Sequence, residues 1–206
     1  MRVILISPPD DAEKETLLVN RMFEKGLALL HLRKPGYDRE RLSSYLDGID
    51  REFHPRVAVH SCYDLLNDYN LRGIHFKKVN KGHRGSLFER FKGRNDITIS
   101  MSCHSLEELS CDTECIDYTF LSPIFDSISK STYKAGFDHK ELADTLEKTD
   151  LDVVALGGCR PEYLRKIKKL GFAGAAFLGA VWKSPDPFDS YLSIREARRQ
   201  LSLNSD

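Results

Sequence analysis

Val153-Val154-Ala155-Leu156-Gly157-Gly158, then Pro161 to Leu170, then Gly171, then Ala173-Gly174-Ala175-Ala176-Phe177-Leu178-Gly179, is the stretch that decides the fold. A short aliphatic run closes on two glycines. A proline at a first-turn position opens an amphipathic stretch, a glycine stops it, and a second apolar run follows at once. That is one strand–helix–strand unit, and the same cycle repeats along the chain. The reading predicts strands at Val3 to Ser7, Leu27 to Leu32, Val57 to His60, Gly73 to Phe76, Ile97 to Met101, Tyr118 to Leu121, Val153 to Leu156 and Ala173 to Leu178. It predicts helices at Glu13 to Lys25, Asp38 to Phe53, through Leu65 and Tyr69, at Ser86 to Phe91, Ser105 to Leu109, His139 to Glu147, Pro161 to Leu170 and Pro187 to Leu203. Strict alternation argues for a parallel sheet with right-handed crossovers. Eight units favour closure into a single (β/α)8 TIM barrel of the α/β class over residues 1–206; an open doubly wound sheet is the alternative architecture.

The chain has 206 residues, enough for one domain with a sizeable core. Lys+Arg and Asp+Glu both number 31, so there is no global basic field, and nucleic acid and anionic membranes are excluded as natural partners. The first residues read as a strand rather than a signal peptide, and no run suits a membrane helix. Five scattered cysteines fit reduced thiols, so the expected location is cytoplasmic. Cys103-His104, Cys111 and Cys115 could be read as metal ligands, but their spacing matches no zinc pattern.

In a barrel of this kind the chemistry sits where the strands end. Those ends carry His31, Arg33 and Lys34; His60; His75, Lys77 and Lys78; Ser102 and His104; and Ser122 to Lys130, with Ser127 and Ser129 between. Four of the seven histidines fall there, so the reading predicts a cationic rim on a neutral protein, suited to a phosphorylated substrate. Gly157, Gly158, Gly179 and Ala180 close the last two strands, where backbone N–H groups can approach phosphate oxygens.

Several of these segments together carry a resemblance. Asp117-Tyr118-Thr119-Phe120-Leu121-Ser122-Pro123-Ile124-Phe125-Asp126-Ser127-Ile128-Ser129-Lys130 resembles the pattern D-Y-x-x-x-G-P-[IV]-[FY]-x-T-x-T-K of thiamine phosphate synthases. Ser102-Cys103-His104-Ser105, Gly73-Ile74-His75, Val154-Ala155-Leu156-Gly157-Gly158 with Pro161, and Gly174 to Val181 followed by Asp186-Pro187 resemble further motifs of the thiamine phosphate synthase and thiazole tautomerase superfamily, in the same order. The resemblance implies an enzyme of thiamine biosynthesis, a transferase that joins a hydroxymethylpyrimidine pyrophosphate to a thiazole phosphate with release of pyrophosphate. Such a reaction needs positioning and charge stabilisation more than a strong base.

By resemblance, Gly157, Gly158, Gly179 and Ala180 hold the thiazole phosphate, and Ser127 and Ser129 contact the thiazole side. Arg33 and Lys130 hold the pyrophosphate, and Ser102 lies beside the reacting centre. His31, His60, His75, His104 and Lys78 complete the candidate set. The sequence departs from the synthase pattern at the strand-two motif Q-x-R-x-K, which here reads His31-Leu32-Arg33-Lys34-Pro35. It departs again where Ser61 and Asn80 replace the two aspartates that bind Mg2+ in the synthases, so no metal ligand is assigned. Two other readings stay open: a thiazole phosphate tautomerase, favoured by His31-Leu32-Arg33, and a non-catalytic protein that binds thiazole phosphate or thiamine phosphate. A homodimer is the expected oligomer.

Overall fold

The computed structural model describes residues 1–76, 90–91, 93–109, 116–126 and 136–203. Eight parallel strands close on themselves in sequence order: β1 (Arg2–Ile6), β2 (Leu29–Leu32), β3 (Val57–Val59), β4 (Gly73–Phe76), β5 (Thr98–Cys103), β6 (Tyr118–Leu121), β7 (Asp152–Ala155) and β8 (Gly174–Phe177). Closure is made by β1 against β8, with Ile4 opposite Ala176. The barrel therefore prevails over the open sheet, and no edge strand is left exposed.

The period of two sorts each strand between two cores. Ile4, Ile6, Leu29, Ala58, Tyr118, Phe120, Val154 and Ala176 fill the barrel interior. Their neighbours Val3, Leu5, Leu30, Leu32, Val57, Val59, Leu121, Val153, Ala155, Ala175 and Phe177 face outward to the helices. The same parity turns His31 inward on β2. His75 lies between outward Ile74 and Phe76, and Ser100 and Ser102 flank Met101, so these polar residues also point inward.

Around the barrel lie α1 (Glu15–Glu24), α2 (Arg39–Asp47), α3 (Leu106–Leu109), α4 (His139–Lys148), α5 (Leu164–Lys169), α6 (Gly179–Trp182) and α7 (Pro187–Leu203). The helix expected over Asp38 to Phe53 is shorter than the sequence reading: α2 stops at Asp47, Asp50 is extended, and a 3-10 turn follows over Arg51–Arg56. Pro55 in that segment has no N–H to continue an α-helical ladder. The segment through Leu65 is likewise a 3-10 turn, Tyr63–Asn67, and Pro161–Tyr163 is a 3-10 turn leading into α5. The one-turn α6 was not expected from the sequence. The helix expected at Ser86 to Phe91 lies outside the described residues except for its last two. No helix among the described residues is long and apolar enough to cross a membrane.

Candidate functional site

Strands β2 to β6 bring together a buried polar cluster inside the barrel, with Tyr118 entering it from the first residue of β6 and Ser100 from the middle of β5. His31 is fully buried; its Nδ1 lies 2.9 Å from His60 Nε2 and its Nε2 lies 2.7 Å from the Tyr118 hydroxyl. His75 is also buried, with Nδ1 2.9 Å from Ser100 Oγ and Nε2 2.9 Å from Ser102 Oγ. The His60 and His75 rings stack with centroids 4.2 Å apart, and Phe120 packs against both His31 and His75.

The hydrogen bonds fix part of the proton arrangement. Ser100 Oγ donates to the Ile74 carbonyl at 3.2 Å, so its lone pairs receive His75 Nδ1–H. His75 Nε2 then accepts from the Ser102 hydroxyl. His75 is thus the partner that orients the Ser102 hydroxyl.

Electrostatics overturn part of the sequence reading. Burial, followed by the charge of His75, holds His31 well below the ordinary histidine range. Burial, followed by the Arg33 guanidinium, pushes His75 down to about 3. Both rings are neutral at pH 7 and lie inside the barrel, so they do not belong to a cationic rim. Lys34 leaves the rim too. Its ammonium donates to Glu15 Oε2 at 2.6 Å and to the Asp10 carbonyl at 2.8 Å, with the side chain fully buried on the outside of the barrel. Tyr45 donates to the other Glu15 oxygen at 2.7 Å. Of the cations the sequence reading placed at the strand ends, Arg33 is the one whose charge reaches His75, and its backbone is pinned to Ser7 Oγ on both sides.

His104 is exposed at the end of β5, with Nδ1 3.1 Å from the Ser122 carbonyl and 3.2 Å from the Ser122 hydroxyl. Gly157 and Gly158 adopt φ values of +86° and +65°. A Cβ on Gly157 would lie 2.9 Å from Pro123, and one on Gly158 only 2.4 Å from the Asp126 carbonyl oxygen. The glycines therefore let the β6 and β7 loops touch, a packing reason beside the phosphate one. Ile124 N–H donates to Leu156 O at 3.0 Å and Phe125 N–H to Gly157 O at 3.1 Å across the same contact. Gly179 and Ala180 open α6 directly after β8, ahead of the first helical bond from Val181 N–H to Leu178 O. Their N–H groups belong to the first turn, which has no acceptor within the helix.

Ser127, Ser129, Lys130, Lys77, Lys78 and Asn80 lie outside the described residues. Sequence reasoning missed Tyr118 and Ser100, which fix the two inner histidines. The signal was available: Ser100 and Ser102 alternate with apolar residues on a strand beside His75, and Tyr118 shares the inward parity of Phe120.

Comparison with known proteins follows the same outline. The model of the thiamine monophosphate synthase family matches residues 3–181. The thiamine-phosphate synthase of Vibrio campbellii is 32% identical over 175 residues, covering 82% of this chain and 84% of its own. That of Staphylococcus carnosus is 26% identical over 177 residues, covering 82% and 81%. Among solved structures, thiamine phosphate pyrophosphorylase from Bacteroides thetaiotaomicron superposes with a TM-score of 0.78 at 27% identity, covering all of both chains. The pyrophosphorylase from Pyrococcus furiosus, at 19% identity and a TM-score of 0.76, shares the fold.

Proposed function

The chain belongs to the thiamine monophosphate synthase family, and from that membership we propose that it joins hydroxymethylpyrimidine pyrophosphate to a thiazole phosphate, releasing pyrophosphate. The observation that carries this reading is the family match over residues 3–181, which takes in all eight strands and the glycine-rich turns after β7 and β8.

The residues divide the work as follows. Arg33 holds the departing pyrophosphate at the mouth, with Lys130 assigned beside it from the motif alone and Lys78, where the family motif has a glutamine, offering a charge in place of the metal's. The Ser102 hydroxyl, set by His75, faces the reacting pyrimidine carbon. The first-turn N–H groups of Gly179 and Ala180, with the backbone of Gly157 and Gly158, cradle the thiazole phosphate. Ser127 and Ser129 contact the thiazole. The pyrimidine–pyrophosphate bond breaks first, the cation is trapped against the site, and the thiazole nitrogen closes on it. Neutral, hydrogen-bonded side chains suit that sequence, since no proton needs to be removed from carbon. The tautomerase reading needs His31, His60 or His104 to exchange protons; both nitrogens of His31 are engaged inside the barrel, which leaves exposed His104 as its best-placed group.

Members of the family use Mg2+, and the residues described here do not fit that ion. Mg2+ takes oxygen ligands, as a rule one or two carboxylates with substrate phosphates. Ser61 stands at the strand-three position, and the polar cluster inside the barrel offers imidazoles and hydroxyls rather than carboxylates.

The test mixes purified protein with both substrates and follows thiamine phosphate and pyrophosphate, with Mg2+ and with EDTA. Product is expected to depend on the protein. Arg33→Ala should lower the rate by roughly 10²-fold or more, the scale of losing a group that stabilises developing charge. Absence of product in every arm, at high protein concentration, would sink the reading.

A further inference from the structure

Three consecutive strands of the barrel deliver an imidazole to one place: His31 from β2, His60 from the end of β3 and His75 from β4. One ring nitrogen from each lies within 4.8 Å of those of the other two, and all three residues are buried. The interior around it is built from Ile4, Ile6, Leu29, Ala58, Tyr118, Phe120, Val154 and Ala176, so the three imidazoles, which come from adjacent strands, are the nitrogen donors gathered there among the described residues.

The geometry points to a site for a transition-metal dication of the zinc, cobalt or iron kind, held by His31 through Nδ1 and by His60 and His75 through Nε2. Two observations support it beyond proximity. The first is spacing. An ion about 2.0–2.1 Å from each nitrogen in a tetrahedral site sets neighbouring nitrogens about 3.3 Å apart. His31 Nδ1 and His60 Nε2, now hydrogen-bonded at 2.9 Å, need to part by only a few tenths of an ångström, whereas His75, stacked on His60 with ring centroids 4.2 Å apart, has to pivot about its Nδ1 bond to Ser100 so that Nε2 leaves Ser102. The second is what lies on the far nitrogens. Metal-bound histidines hold their other N–H against an oxygen that fixes the ring. Ser100 Oγ does this for His75 Nδ1, because its own proton is committed to Ile74 O; the Tyr118 oxygen stands in the same relation to His31 Nε2.

On binding, each neutral imidazole keeps its single proton on the nitrogen away from the ion: His31 on Nε2 toward the Tyr118 oxygen, His75 on Nδ1 toward Ser100 Oγ, and His60 on Nδ1, so that all three coordinating nitrogens present lone pairs. The Ser102 hydroxyl, released from His75, or a water takes the fourth position and faces the mouth. Imidazole donors select zinc, cobalt, iron, nickel or copper over magnesium, so this site is distinct from the family's carboxylate site. The inference stands whether or not the transferase reading does.

The experiment is a titration of EDTA-treated, desalted protein with Co2+, read by its visible d–d absorption, followed by competition with Zn2+ and by X-ray absorption at the cobalt edge. One Co2+ per chain is expected, displaced by Zn2+, with three imidazole ligands. His31→Gln and His60→Asn keep size and hydrogen bonding and should each weaken binding by more than about tenfold, the scale on which metal sites respond to such changes. His139→Ala, an exposed histidine on α4, should leave it unchanged. Circular dichroism checks that the variants fold; if either does not, the ligand count on the unaltered protein decides. No stoichiometric binding, an affinity in both variants equal to that of the unaltered protein, or fewer than three imidazoles at the cobalt edge would overturn the site. The readout is binding, so a negative turnover assay leaves it standing and a negative cobalt titration leaves the turnover reading standing.

Discussion

Gly158 sits at φ +65° with the Asp126 carbonyl oxygen 2.4 Å from where a Cβ would be. Neither the left-handed backbone nor the clash is cheap for another residue, because the opposing atom is main chain and cannot swing away. Gly158→Ala should therefore destabilise the protein by roughly 2–4 kcal/mol, combining backbone strain with overpacking. Urea denaturation measures this, and a loss under about 0.5 kcal/mol, the range of ordinary surface substitutions, would show that the β6 and β7 loops do not meet here. Next to it, Cys159 is buried, and burial pushes its thiol up to about 12. The thiolate is the reactive form. Cys159 should thus resist iodoacetamide in the native state at pH 8 and react once urea is added, whereas half-buried Cys62 should be modified first of the two. Peptide mass mapping decides the order. The glycine pair was legible in the sequence as a place of close approach, but not what approaches. Its neighbours come from a loop more than thirty residues earlier, and no local pattern names a long-range partner. The same limit applies to His31 and His75: their place at strand ends was readable, whereas their burial and neutrality depend on inward parity around a closed barrel.

Helix ends carry the next set of consequences. Asp138 accepts from the N–H groups of Lys140 and Glu141 at the start of α4, and Asp186 from those of Phe188 and Asp189 at the start of α7. Each satisfies first-turn donors that the helix itself cannot. Asp138→Ala and Asp186→Ala should each cost about 1 kcal/mol in chemical denaturation, and Asn at either position should recover most of it. A larger bond ties the loop after β2 to α1. Lys34 and Glu15 are buried together, with Tyr45 on the second carboxylate oxygen. Lys34→Ala leaves the carboxylate inside without its cation and should cost roughly 3–5 kcal/mol, while Lys34→Met combined with Glu15→Leu should restore most of the stability. Similar losses in the single and double variants would mean that packing, not charge, dominates there. These elements also show what sequence pattern can resolve. β4, β6 and α7 lie where the alternation and Pro187 place them. The segment expected as one long helix breaks after Asp47, because an extended Asp50 and Pro55 outweigh the helical spacing of Leu42, Leu46 and Ile49. α6 is a single turn, too short for a periodic signal to register.

At the scale of the whole molecule, closure is completed by a helix that lies beyond the part matched by the family. The match ends at residue 181, and α7 spans Pro187–Leu203. Yet α7 packs against α1, α5 and α6, burying Tyr191 and Ile194 in the outer core. It also reaches the first strand and its connection: Arg198 Nε donates to Met1 O at 3.0 Å and the Tyr191 hydroxyl to Lys25 O at 3.4 Å. Trp182, just ahead of it, donates to Ile6 O at 2.8 Å. The first and last units of the barrel are thus fastened by the chain's final helix, and β1–β8 pairing alone would leave their outer faces in water. Removing residues 187–206 should expose that apolar surface and abolish a cooperative thermal transition. Ile194→Ala is the milder probe, since it creates a cavity without removing the helix, and should cost roughly 2–5 kcal/mol. If the truncated chain unfolds with the same midpoint and steepness as the full one, α7 is an ornament on a self-sufficient barrel. If it loses cooperativity while Ile194→Ala shifts the midpoint only, the final helix is the clasp that makes eight strands behave as one unit.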